Sequence, residues 1–483
     1  MIPFWICDTH TALTLATADS QSVEEKIISN AITIAGPGPT SVLAQWIAGA
    51  RPVPEDSPAW TWARHALLDW AACAVAGAGE PLSVMLRDEY AMRGAAHGSC
   101  TLIGGGCYAQ PLEAALVNGT AGHALDYDDV SSRMVGHPTA PLAPAVLVDA
   151  QARGASGREL LEAFIVGYEA QAWIGEWLGA SHYKQGFHTT GTLGTFGAAA
   201  GCARLRGLSA NQVRHALGLA AAQAAGLKSM FGTMAKPLQA GKAAMNGLLA
   251  VQLAERGFTA NPSALEVAQG FADTQVPAPG RLRTDVETSG GFAVERTLFK
   301  FHAACYLTHA TLEAIRTLKA DIGVGLSQLD RLRIQVAGSH SGVCDIGEPR
   351  SGLELKFSIR HLAAMALDGA DTAALHTFND AAACDPRYVQ ARERIALEVS
   401  APSAEAANVA RVVLCTKDGR EFTATADVGS PATDLNVQWQ RLTAKARGIA
   451  APLIGEERFA RLLEAIDRLP AADTINPLME TIA

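Results

Sequence analysis

The sequence predicts a mainly helical protein, in which a smaller α+β domain is inserted into a large all-helical domain. Three observations support this. Through most of the chain, apolar residues recur every three or four positions, the spacing of one buried helix face. After about residue 327 the apolar period falls to two, which indicates strands. Near the carboxyl terminus the helical period returns. The length of 483 residues suits two domains.

The helical elements follow from regular apolar spacing between recognisable ends. Ser57 and Pro58 suit a helix start, and the apolar face behind them ends at Gly77. In residues 191–201 glycines recur every three or four positions, which predicts close approach of a neighbouring backbone rather than a dinucleotide-binding loop. Further helices are expected near 82–94, 110–124, 140–153, 157–180, 189–206, 209–225 and 236–257.

The inserted α+β domain is predicted from alternating patterns around 332–336 and 395–399. Residues 409–416 and 421–425 indicate a hairpin whose Asp-Gly turn lies at 417–419. Helices are expected at 303–319 and 356–367, and later at 435–448 and 456–469. The predicted division is a loosely ordered extension (1–39), the first part of the helical domain (40–296), the α+β domain (297–432) and C-terminal helices returning to the helical domain (433–483).

Composition narrows the function classes. Net charge is −9, with 39 Lys and Arg against 48 Asp and Glu and no basic run, so we expect no nucleic-acid binding. No stretch reaches the ~18 uncharged apolar residues of a membrane helix, so no membrane association is expected. Nine cysteines, scattered singly without a CxxC pair, suit a reducing compartment. The start has no basic n-region. We therefore expect a cytoplasmic protein.

The first candidate for chemistry is the segment from Gly122 to Asp129. Asp126, Asp128 and Asp129 bring three carboxylates within four residues, so at least one should have a raised pKa or a cationic partner. A solvated helix end with capping aspartates is the alternative. His123 with these aspartates could also supply metal ligands, although the spacing matches no specific metal motif.

Three further candidates combine an ionisable group with a probable helix start. His137 precedes Pro138 and either faces a cleft or has a structural role. His188 and Thr189 open a helix whose amino terminus favours an anion such as a carboxylate, unless the threonines only cap it. Lys236 lies among apolar residues and either extends its ammonium to solvent or meets a bound carboxylate.

The fifth candidate is the segment from Lys300 to His309. Cys305 lies between this lysine and histidines, a setting that can polarise a thiol towards thiolate. A buried, inert cysteine is the alternative.

The order of these motifs resembles the MmgE/PrpD family over about residues 40–470. The motifs are His-x-x-Asp-x-Asp-Asp, Gly-His-Pro, Phe-His-x-x-(Ser/Thr)-x-x-Gly, Lys-Pro and Lys-x4-Cys-x3-His. The family includes 2-methylcitrate dehydratases, cis-aconitate decarboxylases and iminodisuccinate epimerase. The resemblance implies a homodimer that needs neither cofactor nor metal, with a helical body and an α+β lid bracketing the active site.

The resemblance also implies site residues. It places Asp126, His137, His188, Lys236 and Cys305 in catalysis, and Lys300, His361 and Thr189 in substrate binding. Two positions depart from the family pattern. His361 stands where many members have tyrosine, and Gln239 stands where histidine is common. Both departures leave the substrate open and count against a plain cis-aconitate decarboxylase.

The expected activity is that of a lyase, a dehydratase or decarboxylase acting on a small di- or tricarboxylate such as 2-methylcitrate or cis-aconitate. Cationic side chains would hold its carboxylates while His, Lys or Cys moves a proton. An isomerase or epimerase of an iminodicarboxylate such as iminodisuccinate is the alternative. A metal-dependent hydrolase built on the aspartates and a non-enzymatic helical binding protein also remain open.

Overall fold

The computed structural model describes residues 37–49, 53–92, 99–280, 285–340, 342–400 and 408–483. Nearly all of the predicted extension, 1–39, therefore lies outside the described residues. None of the helices in the described part of the chain has the length and hydropathy needed to cross a lipid bilayer.

Helices dominate the first part of the chain, as the apolar spacing predicted. The longer ones begin and end within about four residues of their predicted bounds. In chain order the helices are α1 (Pro39–Gly49), α2 (Ala59–Gly77), α3 (Pro81–Tyr90), α4 (Pro111–His123), α5 (Thr139–Arg153), α6 (Gly157–Leu178), α7 (Ala180–Lys184), α8 (Thr189–Leu205), α9 (Ala210–Ala221), α10 (Ala235–Glu255) and α11 (Phe271–Gln275).

The glycines of α8 allow this helix to lie deep between its neighbours. A Cβ atom at Gly194 would lie 2.2 Å from Pro141 Cγ, and one at Gly201 would lie 2.7 Å from Val146 Cγ1, both side chains of α5. On the side of α6, a Cβ at Gly197 would lie 2.6 Å from Gln171 Oε1. The predicted close helix packing is confirmed.

A short hairpin also lies among these helices, and its strands were too short to predict. Strands β1 (Cys100–Leu102) and β2 (Cys107–Ala109) pair antiparallel. Gly104 and Gly106 turn the chain between them with φ angles of 69° and 57°, which glycine adopts without strain.

The α+β region contains a four-stranded sheet in the order β4-β3-β5-β6. The central strand β3 runs parallel to β4 and antiparallel to β5, which pairs with β6 through the predicted hairpin. The strands are β3 (Leu329–Val336), β4 (Ile395–Val399), β5 (Val409–Thr416) and β6 (Glu421–Asp427), and the helices are α12 (His309–Ile322), α13 (Gly352–Leu355), α14 (Ile359–Asp368), α15 (Asp380–Ala383) and α16 (Pro386–Arg392).

One predicted helix, 303–319, was wrong at its start. The α-helix begins at His309, because residues 306–308 form a 3-10 turn after Cys305. The backbone N–H of Cys305 donates instead to the carbonyl of Lys356, 3.0 Å away. A hydrogen bond to a residue 51 positions further along the chain thus replaces the hydrogen bond that Cys305 would make within a helix.

The last helices contact the beginning of the helical region. They are α17 (Leu435–Ile454), α18 (Glu456–Arg468) and α19 (Asn476–Ile482). Lys445 of α17 forms a buried ion pair with Asp69 of α2 (Nζ–Oδ1 2.6 Å), and Gln438 Nε2 donates to His65 Nδ1 at 2.9 Å. The predicted divisions at 296/297 and 432/433 remain predictions.

The buried Lys445–Asp69 pair gives a stability test. Lys445→Met leaves the Asp69 carboxyl buried without its counter-ion, so we expect the free energy of unfolding to fall by about 3–5 kcal/mol. Urea denaturation measures the loss. The double variant Asp69→Asn/Lys445→Met should recover part of it, and an equal loss in the single and double variants would contradict this role.

Candidate active site

The loop between α4 and α5 carries most of the predicted ionisable residues in a constrained backbone. Asp126 and Val135 both have a φ angle of 52°, a left-handed conformation that is rare for residues other than glycine. Two side chains hold these positions. Lys300 Nζ donates to the carbonyl of Asp126 (2.6 Å), and Thr189 Oγ1 donates to that of Val135 (2.6 Å). Strained backbone kept in place by neighbours is typical of functional sites.

The Asp126 carboxylate is the point where the predicted residues meet. Its Oδ1 lies 2.7 Å from Lys236 Nζ, 3.1 Å from Lys300 Nζ and 3.4 Å from His137 Nε2. Burial alone would raise the pKa of Asp126, but Lys236 and Lys300 hold that pKa well below its usual value. Asp126 is therefore ionised, and it brings His137 of its own loop together with two lysines from distant parts of the chain.

Asp128 forms a second centre with two histidines. His123 Nδ1 lies 2.9 Å from its Oδ1, and His137 Nδ1 lies 3.2 Å from its Oδ2. Despite burial, the two histidines hold the pKa of Asp128 well below its usual value. Burial, helped by Lys236, lowers the pKa of His123 to about 4. His123 is thus a neutral ring that donates to Asp128.

The third carboxyl, Asp129, is in a different state. It is buried and accepts hydrogen bonds from the hydroxyl (2.5 Å) and backbone N–H (3.3 Å) of Thr139. Burial raises its pKa well above the usual value, and Asp128 adds to the effect. The expectation that one of the three carboxyls has a raised pKa or a cationic partner is confirmed, and the solvated helix end is wrong because Asp128 and Asp129 are buried.

His188 faces this cluster with one ring nitrogen fixed and the other unpaired. Its Nδ1 lies 2.7 Å from Gln239 Oε1. The Gln239 amide is itself oriented by both backbone groups of Leu227, at 3.2 Å each. Because an amide oxygen only accepts, Nδ1 carries the hydrogen and the buried Nε2 keeps a lone pair without a hydrogen bond from any described residue. Burial, with His123 and Lys236, lowers the pKa of His188 well below its usual value.

The rings of the three histidines form one group. The centroid of His123 lies 4.6 Å from that of His137 and 5.9 Å from that of His188. Phe231 packs against His188 at 5.0 Å, and Lys236 Nζ lies 5.4 Å from the centre of the Phe231 ring. His137, His188 and Lys236 therefore converge on one site. Gln239, which departs from the family pattern, contacts this site through its hydrogen bond with His188.

Two residues predicted to bind substrate make other contacts. The Thr189 hydroxyl is buried and donates its hydrogen to the carbonyl of Val135, so it positions the loop between α4 and α5. His361 Nε2 lies 3.0 Å from the carbonyl of Ala382, and its ring packs on Tyr388. Neither contact set includes the Asp126 cluster.

The sequence left two states open for Cys305, a thiol polarised towards thiolate and a buried thiol, and the structure favours the buried, protonated thiol. Burial raises the pKa of the Cys305 thiol above its usual value, and Lys300 opposes this effect only in part. The sequence showed the neighbouring cations but not the desolvation, and desolvation outweighs them.

Lys356 is a further cation near the site that motif reasoning did not single out. Burial lowers its pKa, Lys300 and Lys236 lower it further, and Asp126 opposes them. None of the described residues gives its ammonium a hydrogen bond or an ion pair, and its Nζ lies 5.8 Å from the centre of the Phe378 ring. A largely buried cation without a counter-ion favours an anionic ligand.

Four side chains of the site also have the spacing of metal ligands. One ligand atom from each of His123, Asp126, Asp128 and His137 lies within 4.8 Å of the others, which could suit a divalent cation. Two ammonium groups, however, contact the same Asp126 oxygen and would repel a cation. The residues present therefore fit an anion better than a metal.

Two sequence-family models match the chain: the MmgE/PrpD N-terminal domain over residues 41–280 and the MmgE/PrpD C-terminal domain over residues 302–470. The chain belongs to the MmgE/PrpD family. It is 30% identical to cis-aconitate decarboxylase of Aspergillus terreus, over 68% of this chain and 72% of that protein. Identity to the human cis-aconitate decarboxylase is 27%, over 74% of this chain and 76% of the relative.

A third relative is the cis-aconitate decarboxylase-like protein oryM of Aspergillus oryzae, 29% identical over 58% of this chain and 61% of its own length. These matches confirm three predictions: the family, the mainly helical fold and the lyase class.

Gln239 gives a direct test of the site geometry. Gln239→Leu removes the acceptor that fixes the His188 tautomer, so the ring can rotate and we expect kcat to fall by about 100-fold. Steady-state kinetics on the lyase reaction measure the change. The control is Gln223→Leu, whose amide donates only to the carbonyl of Leu219 in its own helical segment. Equal rates in both variants would refute the positioning role.

Proposed function

We propose that this MmgE/PrpD lyase is a decarboxylase of a small unsaturated tricarboxylate such as cis-aconitate, acting without a cofactor. The observation that carries the proposal is the convergence of Lys236, Lys300 and His137 on Asp126. The names of the relatives support the choice of decarboxylation, since several are cis-aconitate decarboxylases.

Charge at the site favours a polycarboxylate. Three ammonium groups, those of Lys236, Lys300 and Lys356, face two ionised carboxylates, those of Asp126 and Asp128. Because His123 and His188 are neutral, the net charge of these groups is positive. Lys236 keeps 13% of its side chain exposed and Lys356 has no counter-ion, so both can contact carboxylates of a ligand.

The chemistry needs a stabilised carbanion and one proton. The bond from carbon to the departing carboxylate breaks, CO2 leaves, and the electron pair stays on carbon. An adjacent carboxylate, held by Lys236 or Lys356, spreads that charge. The carbon then takes up a proton. Ammonium groups fixed before the reaction stabilise the charge as it develops.

Cys305 and the histidines divide the proton transfer. The Cys305 thiol is protonated, and donating its proton leaves a thiolate that Lys300 stabilises. His188 Nε2 carries a lone pair, which suits a base that takes up a proton. His137 has a carboxylate beside each ring nitrogen, so it can pass a proton between the two sides of the site.

The reaction is tested by NMR in deuterated water with cis-aconitate, citrate, 2-methylcitrate and iminodisuccinate. The expected result is CO2 release from cis-aconitate and one deuterium bound to carbon in the product. Turnover only of citrate or 2-methylcitrate with loss of water would make the protein a dehydratase. Inversion of iminodisuccinate without loss of CO2 or water, or no turnover of any of the four acids, would contradict the proposed lyase activity.

We also propose that the protein is a homodimer and cytoplasmic. The dimer is supported by the family resemblance. A reducing compartment is supported by seven cysteines that form no disulfide within the described part of the chain: Cys73, Cys107, Cys202, Cys305, Cys344, Cys384 and Cys415.

Lys236 gives the sharpest single substitution. Lys236→Met should lower kcat/KM by about 100- to 1,000-fold, because it removes one pre-positioned charge at the carbanion. Folding should persist, since Asp126 keeps Lys300 as its partner. The control is Lys242→Met on the exposed side of the same helix. Near wild-type turnover by Lys236→Met, with an unchanged melting temperature, would refute the proposed role.

A further inference from the structure

A cavity of about 610 Å³ lies away from the Asp126 cluster. Its walls come from α12 (His309–Ile322), from residues 366–374 at and beyond the end of α14, and from α17 (Leu435–Ile454). The volume is in the range of sites that hold small ligands. The cavity therefore joins the α+β region to the C-terminal helices.

The ionisable side chains of this cavity are mostly cationic. Glu313 is shared by two arginines, with Oε1 2.5 Å from Arg441 Nη2 and Oε2 2.6 Å from Arg316 Nη2. Lys319 Nζ donates to the carbonyl of Leu367 at 3.0 Å, and no carboxylate of the described residues pairs with it. One carboxylate thus faces two guanidinium groups and an ammonium.

The remaining charged groups of the wall do not remove this excess. Asp371 is exposed, and its Oδ1 accepts the backbone N–H of Ala373. Lys445 is already neutralised by Asp69. The charged side chains that line the cavity therefore have a positive net charge on the side of Lys319 and Arg316.

His302 adds an independent indication of a ligand. Its side chain is 8% exposed, and its Nδ1 lies 2.7 Å from Thr372 Oγ1. The other ring nitrogen, Nε2, lies 3.4 Å from Glu313 Oε1, too far or too poorly aligned for a regular hydrogen bond, and makes no such bond to any described residue. A buried polar atom beside a cavity costs free energy unless a ligand or water satisfies it.

The cavity wall is also attached to the active site. Tyr127, between Asp126 and Asp128, donates its hydroxyl hydrogen to the carbonyl of Ala373 in the wall (3.1 Å). Lys445, another wall residue, donates to the carbonyl of Tyr127 at 2.7 Å. A ligand that shifts either wall segment would act on the loop that carries the active-site carboxylates.

We propose that this cavity is a second binding site, for a small polyanion with phosphate or carboxylate groups, distinct from the active site. The anion pairs with Lys319, Arg316 and Arg441 and accepts a hydrogen bond from His302 Nε2, in the tautomer whose Nδ1 accepts from the Thr372 hydroxyl. Because it bridges α12 and α17, it stabilises the contact between these helices.

The test is isothermal titration calorimetry with two probes, pyrophosphate and propane-1,2,3-tricarboxylate. We expect Lys319→Gln to weaken binding of at least one probe by tenfold or more, and Arg316→Gln to weaken the same probe. The control is Lys417→Gln, since Lys417 likewise donates to a backbone carbonyl, that of Ser327 at 2.8 Å, but in the β5–β6 turn. Melting temperatures without probe should stay unchanged in all three variants.

Lys236→Met separates the two sites. A tricarboxylate that binds at the cavity keeps that affinity in Lys236→Met, whereas binding at the active site is lost. Loss of pyrophosphate binding alone in Lys319→Gln supports a phosphate ligand, and loss of tricarboxylate binding alone supports a carboxylate ligand. Unchanged affinity of both probes in Lys319→Gln, disappearance of all binding in Lys236→Met, or no binding to the wild type would overturn the proposal.

Discussion

The pairing of Asp126 with Lys236 and Lys300 is the interaction on which the site depends. It links positions 110 and 174 residues apart, and it holds Asp126 in a left-handed backbone conformation. Lys300 contributes twice, since its ammonium contacts both the carboxylate and the carbonyl of Asp126. This double contact fixes the loop so that Asp128 and His137 face each other. Without the cations, a strained loop with three neighbouring carboxyl groups would have little to hold it together.

Burial then determines the protonation state of each group. Asp128 is ionised between two histidines, whereas burial raises the pKa of Asp129 despite the hydrogen bonds that it accepts from Thr139. His123 and His188 have lowered pKa values and are neutral near neutral pH. Lys356 has no counter-ion within the part of the chain that the structure describes. The result is a site with fixed donors, fixed lone pairs and an excess of positive charge, which favours a polycarboxylate over a cation.

Sequence reasoning found the fold and the main ionisable residues because both leave local signals. The spacing of apolar residues predicted the helices, and an Asp-Gly turn predicted the β5–β6 hairpin. Short motifs singled out Asp126, His137, His188 and Lys236. Features that depend on three-dimensional environment were missed. Desolvation of Cys305, the bond from His188 to Gln239, and the unpaired ammonium of Lys356 arise from contacts between distant segments. The contact of Thr189 with the carbonyl of Val135 likewise has no sequence signature, and its predicted role in substrate binding stays a prediction.

The most direct measurement of the central claim is a crystal structure with an unreactive tricarboxylate bound. The account predicts one ligand carboxylate at hydrogen-bonding distance, about 2.7–2.9 Å, from the Lys236 ammonium and another near Lys356. It also predicts that the Asp126 carboxylate keeps its contact with Lys300. A divalent metal ion bound by His123, Asp126, Asp128 and His137, with the tricarboxylate elsewhere, would contradict the account.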